Sequence, residues 1–127
     1  MTGRRDPQEH ARSVEDAFDR AVELFDGRRF FEAHEYFEFL WKHTPPDERP
    51  FWKGLTQFAV ALCHCQRGNP RGAIALLGRS AGLLRRYGSP YRGVNVQALL
   101  ECGRTLAREL AGNEQTDEID FPTFPLS

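Results

Sequence analysis

Hydrophobic side chains recur at helical spacing in five segments of the chain. In the first segment, Ser13 stands where a helix cap is expected, with Asp16 three residues later, and Gly27 stands where a left-handed glycine would end the helix. The apolar positions between them are Val14, Ala17, Phe18, Ala21, Val22 and Phe25. This spacing predicts a first helix from Ser13 to about Gly27.

The second and third segments are separated by a proline-containing loop. Residues 30–43 place Phe30, Ala33, Phe37, Leu40 and Trp41 on one helical face. The sequence TPPDERP then ends this helix, because proline lacks the amide hydrogen and restricts the residue before it. A third helix is predicted from about Glu48 to Arg67, with Gly68 as its stop.

The fourth and fifth helices have clear capping residues. Asn69 caps the fourth, which begins at Pro70 and is predicted to run to about Tyr87, and Asn95 caps the fifth, which ends at Gly112. No segment alternates like a half-buried strand. The pattern therefore predicts an all-α protein of about five helices, arranged as an antiparallel bundle or as stacked helical hairpins.

The predicted domain organisation is a single helical domain over residues 13–112. We expect a flexible N-terminus over residues 1–12 and an extended tail over residues 113–127. The tail contains prolines but also Ile119, Phe121, Phe124 and Leu126. It can therefore lie in a groove of its own domain or of a neighbour, or fray as many termini do.

Composition narrows the classes of partner. The 127 residues carry a net charge of −1, which gives no overall field to concentrate nucleic acid or an anionic membrane. No apolar run suits a signal peptide or a membrane span, and three cysteines without a disulfide spacing fit reduced thiols. We expect a cytoplasmic protein with no nucleic-acid or membrane partner.

Polar residues at unusual positions form a candidate cluster. On the second helix His34 lies close to the apolar face and Glu38 one turn further on, whereas Glu35 points more nearly to solvent. The third helix has a second stripe of small and polar residues that includes Gln57 and His64. An antiparallel neighbour would place His34 beside His64. The candidate polar cluster is His34, Glu35, Glu38, Gln57 and His64.

The chemistry of this cluster has a structural interpretation and two functional ones. A histidine at a helix edge commonly bonds to a carboxylate or a backbone carbonyl, and Glu38 would satisfy that need. His34, Glu38 and His64 could instead hold a divalent metal, or Glu38 and a histidine could act as acid and base. Without a metal or nucleophile motif, we expect no cofactor. The prediction leans towards a protein that is not an enzyme.

The stretches GRRFFEAHEYFEFLW, FWKGLTQFAVALCH and RGNPRGA, and more loosely YRGVNVQALL, resemble domain of unknown function family 309, a family of small helical bacterial and archaeal proteins. The resemblance covers about Gly27 to Leu110. It implies an all-helical bundle and no established activity. Besides the polar cluster, the family's recurrent positions here include Trp41, Gly54, Gly68, Asn69, Gly72 and Ala73.

Three functions remain open from the sequence. The favoured one is a non-enzymatic module that binds an unidentified protein partner or its own copy. It would use the outer side of the second helix, where Phe31 and Phe39 lie, alone or together with the C-terminal tail. The second is a metal-dependent or acid–base hydrolase-like enzyme that uses His34, Glu38 and His64. The third is a small-ligand pocket lined by Trp41, Trp52 and Gln57.

Overall fold

The computed structural model describes residues 7–112 and 119–126. Within these residues, the regular elements are five α-helices. They are α1 (Pro7–Asp26), α2 (Phe30–His43), α3 (Arg49–Gln66), α4 (Pro70–Leu84) and α5 (Val96–Gly112). The all-α prediction is confirmed. Residues 1–6, half of the predicted flexible N-terminus, and residues 113–118 of the predicted tail lie outside the described residues.

The ends of α1 differ from the prediction. The helix begins at Pro7 rather than at Ser13, so Ser13 lies within it. At the other end the left-handed residue is Arg28, with φ of 63°, and not Gly27. The Arg28 amide bonds to the Phe25 carbonyl and the Arg29 amide to the Leu24 carbonyl, which is the hydrogen-bond pattern of a Schellman cap. The stop is therefore one residue later than predicted.

The junction between α3 and α4 follows the prediction. Gly68 has φ of 72°, and the Asn69 amide bonds to the His64 carbonyl, so the same cap pattern occurs here with glycine in the left-handed position. The Asn69 side chain accepts the Gly72 amide at 3.1 Å and caps α4. Helix α4 ends at Leu84 rather than at about Tyr87. Beyond Leu84, the Arg86 and Tyr87 amides bond to carbonyls three residues earlier instead of four.

Consecutive helices pack against each other in the order α1–α2, α2–α3, α3–α4 and α4–α5, which is the arrangement of stacked hairpins. They enclose one hydrophobic core. Its largest fully buried side chains are Phe25, Phe30, Phe37, Leu40, Phe51, Leu55, Leu62, Leu84, Val94, Val96, Leu99 and Leu106. Gly54 permits close contact of α3 with α4, since a Cβ there would lie 3.0 Å from Leu84 side-chain atoms.

The C-terminal segment (residues 119–126) lies on its own domain. The Phe124 side chain is only 5% exposed, and its ring centroid is 5.3 Å from that of Phe25 and 5.6 Å from that of Phe37. The Phe124 amide donates to Asp26 Oδ1 at 2.7 Å, and the Pro125 carbonyl accepts the Asn95 amide at 2.8 Å. This segment therefore completes the core between α1 and α2.

None of the helices in the described part of the chain is both long enough and apolar enough to cross a membrane.

Candidate functional site

A small pocket lies between the first turn of α2 and the last turns of α3, and it brings His34 and His64 together. We call it the histidine pocket. Its volume is about 90 Å³. It is lined by Phe31, His34, Val60, Cys63, His64 and Arg67. Glu38 is absent from this lining and lies 3.9 Å from the Lys42 ammonium, measured to Oε1.

The orientation of His64 is fixed by the cap of α4. Asn69 accepts the Gly72 amide through Oδ1, so its amide nitrogen Nδ2 is the atom that faces His64 Nδ1, at 3.1 Å. Because Nδ2 can only donate, His64 Nδ1 must accept. The neutral His64 ring therefore carries its proton on Nε2.

The orientation of His34 is fixed by its own helix. Its Nδ1 contacts the Phe31 carbonyl oxygen, which can only accept, so the proton of the neutral ring is on Nδ1 and Nε2 keeps a lone pair. The Phe31 side chain is 51% exposed, and its ring centroid is 4.8 Å from that of His34. The guanidinium carbon of Arg67 lies 5.7 Å from the Phe31 ring centroid. The two histidines thus hold opposite neutral tautomers.

The remaining members of the predicted cluster lie elsewhere. Glu35 faces α1, and Gln57 is half buried with an Oε1 that has no hydrogen-bond partner among the residues described. Over the same residues, no three His, Cys, Asp or Glu side chains are placed to hold one metal ion. His34, Glu38 and His64 therefore do not form a three-ligand site in this structure.

The two tryptophans are in different environments. Trp41 is half buried, with the Lys53 ammonium 5.4 Å from its ring centroid. Trp52 is 4% exposed and lines an open groove of about 500 Å³ that contains neither Trp41 nor Gln57. Trp41 and Gln57 therefore do not line the groove that contains Trp52.

The groove beside Trp52 contains an ion pair between a buried glutamate and a largely exposed arginine, which the sequence pattern did not predict. The Glu48 side chain is 8% exposed, its Oε1 accepts the Trp52 indole N–H at 3.2 Å, and its Oε2 accepts an N–H of Arg92 at 2.6 Å. The hydrogen bond to Glu48 raises the pKa of Arg92 above its usual value. Arg92 also has φ of 48°. These partners are 44 residues apart, so helical periodicity contains no signal for them.

A second open groove, of about 680 Å³, runs between α1 and α2, and we call it the aromatic groove. It is lined by Ser13, Asp16, Ala17, Arg20, Glu35, Tyr36 and Phe39. Tyr36 is 38% exposed, and the Phe39 ring stacks on His43 with centroids 4.1 Å apart. Phe39 is half buried and lines this open groove together with residues of α1.

The small residues of the predicted motif have packing roles. A Cβ on Gly72 would lie 2.6 Å from Asn69 Nδ2 and 3.2 Å from His64 Nδ1, so glycine leaves room for the contact between those side chains. Ala73 is fully buried. The motif therefore builds the α3–α4 junction that orients His64.

Comparison with known proteins finds a family that this chain resembles over part of its length. The family described as Domain of unknown function (DUF309) matches residues 18–76. Residues 18–76 carry the signature of this family. The predicted resemblance is thereby confirmed over a segment that contains α2, α3, the histidine pocket and the α3–α4 junction. It begins earlier than the predicted Gly27, and the looser motif YRGVNVQALL lies outside it.

One relative is Uncharacterized protein YpuF of Bacillus subtilis (strain 168), which is 43% identical over 68 residues. The alignment covers 53% of this chain and 39% of that protein, so the chain spans less than half of the relative's length. No solved structure matches.

Proposed function

We propose that the chain is a non-enzymatic helical module that binds a segment of a protein partner in the aromatic groove. One observation carries the proposal: Tyr36 and Phe39 line an open groove of about 680 Å³ on the outer side of α2. Aromatic side chains that are accessible and flanked by polar groups are typical of binding surfaces.

The charges of the groove indicate the kind of segment. The groove is lined by two carboxylates, those of Asp16 and Glu35, and by one guanidinium, that of Arg20, which is already paired with Glu23. A segment with an apolar anchor and a basic residue complements this surface. The hydrolase alternative has less support, because Glu38 pairs with Lys42 and does not line the histidine pocket.

A photo-crosslinking amino acid in place of Tyr36 tests the proposal in cells that express the chain. The matched control carries it in place of Arg104, an exposed residue of α5. We expect a discrete adduct from position 36, none from position 104, and loss of the adduct when Phe39→Ser is added. Equal adducts at both positions, or none, would remove the support for the proposal.

The mass of the adduct separates the two kinds of partner. An adduct of twice the chain's mass would identify a second copy in the groove, and light scattering of the Phe39→Ser variant would then show a smaller assembly. An adduct of any other mass identifies a different protein.

A further inference from the structure

The two histidines of the histidine pocket offer complementary hydrogen-bonding atoms. Both use Nδ1 within the fold, His34 on the Phe31 carbonyl and His64 on Asn69. Both Nε2 atoms remain for a ligand. In the neutral rings, the Nε2–H of His64 donates and the Nε2 lone pair of His34 accepts. A ligand that fits must therefore present an acceptor to one ring and a donor to the other.

Arg67 adds a positive charge to this pair. Its guanidinium supplies several N–H donors, and none of the six side chains that line the pocket is a carboxylate. The helix ends do not decide the sign of the local field, since the pocket lies beside the positive first turn of α2 and the negative last turn of α3. The Arg67 charge therefore favours an anion.

The size of the pocket limits the ligand further. A volume of about 90 Å³ exceeds what one water needs, since about 10–15 Å³ of such volume already holds a water molecule. The enclosed space therefore has room for one tetrahedral oxyanion.

We infer that the histidine pocket binds inorganic phosphate in a form that keeps one P–OH group. Its ionised oxygens accept hydrogen bonds from Arg67 and from His64 Nε2–H, and its P–OH donates to His34 Nε2. Sulfate has the same shape but no hydroxyl, so it leaves the His34 lone pair facing an oxygen. A phosphate monoester, whose second pKa is about 6, has largely lost its hydroxyl proton above neutral pH.

This inference is independent of the proposed function. The histidine pocket is formed with α3, whereas the aromatic groove is formed with α1. Failure of phosphate binding would leave the crosslinking result at position 36 unaffected, and the converse also holds.

Proton–nitrogen correlation spectra of the imidazole rings test the inference on the full chain. Inorganic phosphate, sulfate and methyl phosphate are titrated separately, slightly above neutral pH and at constant ionic strength. We expect phosphate to shift the His34 and His64 resonances saturably while His43, outside the pocket, stays in place. Sulfate and methyl phosphate should bind at least about fivefold more weakly, the cost of one unmatched hydrogen bond.

Three variants check the residues that carry the inference. Arg67→Gln should weaken phosphate binding about tenfold, as expected for a charge-assisted hydrogen bond. Arg71→Gln removes the same charge from an exposed position in the first turn of α4 and should have no such effect. His34→Leu, if its circular dichroism melt shows a folded protein, should abolish the preference for phosphate over sulfate.

Three outcomes would overturn the inference. The first is the absence of any saturable shift up to ~30 mM phosphate, well above the millimolar range of weak specific sites. The second is equal binding of phosphate and sulfate by the wild-type chain. The third is equal weakening by Arg67→Gln and Arg71→Gln, which would indicate unspecific attraction to positive charge.

Discussion

The α3–α4 junction and the α2–α3 junction hold their helices together in different ways. In the turn that joins α3 to α4 the side-chain contacts of Asn69 are local: it bonds to Gly72 three residues away and to His64 five residues away. Gly68 between them supplies the left-handed turn. Such a junction is encoded in one short stretch of sequence and is the kind of feature that a family motif preserves.

The α2–α3 junction depends on residues that come from far along the chain. Glu48 bonds to Arg92 across 44 residues, and the Asp47 carbonyl accepts the Tyr87 hydroxyl across 40 residues. These contacts exist only after the loop that follows α4 has reached the start of α3. The difference shows that a local junction can be predicted from sequence, whereas a long-range junction is a product of the completed fold.

The largest expected effect tests the long-range junction. Glu48→Ala should lower the free energy of unfolding by about 2–3 kcal/mol, because it leaves the buried Trp52 N–H without an acceptor and removes the partner of Arg92. Urea denaturation measures this. Glu15→Ala, an exposed residue of the same groove, is the matched control and should change the value by less than about 0.5 kcal/mol. Similar small losses in both variants would show that the pair contributes little.

The second effect concerns the last turn of α3. Burial raises the pKa of the Cys65 thiol from its ordinary 9.0 to about 11. Between these values the unfolded chain has lost the proton that the folded chain retains, so the free energy of unfolding should fall as pH rises from 9 to 11. The loss is at most about 2 kcal/mol. Cys65→Ala should flatten this part of the pH profile, and an unchanged slope would refute the assignment to Cys65.

The third test compares two glycines of α4. Gly72→Ala places a methyl group 2.6 Å from Asn69 Nδ2, so the cap and the His64 contact must shift, and we expect a net loss of about 1 kcal/mol. Gly78→Ala points into open space and should stabilise α4 by about 0.5–1 kcal/mol through helix propensity. The melting temperature should fall for Gly72→Ala and rise for Gly78→Ala. A rise for both variants would mean that Asn69 and His64 can shift at little cost in free energy.

The smallest expected change in stability is that of Asn69→Asp, which should instead change the tautomer of His64. Asn69→Asp keeps an acceptor for the Gly72 amide, so stability should change by less than about 0.5 kcal/mol. The second carboxylate oxygen then faces His64 Nδ1 and favours a proton there. Nitrogen chemical shifts should show His64 as the Nε2–H tautomer in the wild-type chain and protonated at Nδ1 in the variant. An unchanged tautomer would contradict the orientation of Asn69 described above.

The same contrast explains how much of the fold the sequence predicted. All five helices were predicted, and Asn69 and Asn95 cap α4 and α5 as expected, because caps act within a few residues. The start of α1 at Pro7 was missed because Ser13 and Asp16 imitate a capping box inside a longer helix. The left-handed Arg28 was missed because propensity favours its glycine neighbour.

Helical faces sufficed to predict that two residues of the candidate cluster lie close together. His34 and His64 were expected side by side, and they line one pocket. Glu38 was expected with them, but its side chain reaches Lys42 on the next turn of its own helix. The roles of Glu48 and Arg92 could not be predicted from the sequence. The two residues are 44 positions apart, so neither a short motif nor helical periodicity connects them.

The docked C-terminal segment shows that the part of the chain that matches the family is not the whole folded domain. Similarity to the family ends at residue 76, yet Phe124 fills the core against α1 and α2, and Leu126 forms a β-bridge with Val94. A fragment that ends at the limits of the family match would lack the C-terminal segment, and aromatic rings of the core would then be exposed to water. The unit that is similar among relatives is thus smaller than the unit that folds, and an expression fragment of this domain has to extend through Leu126.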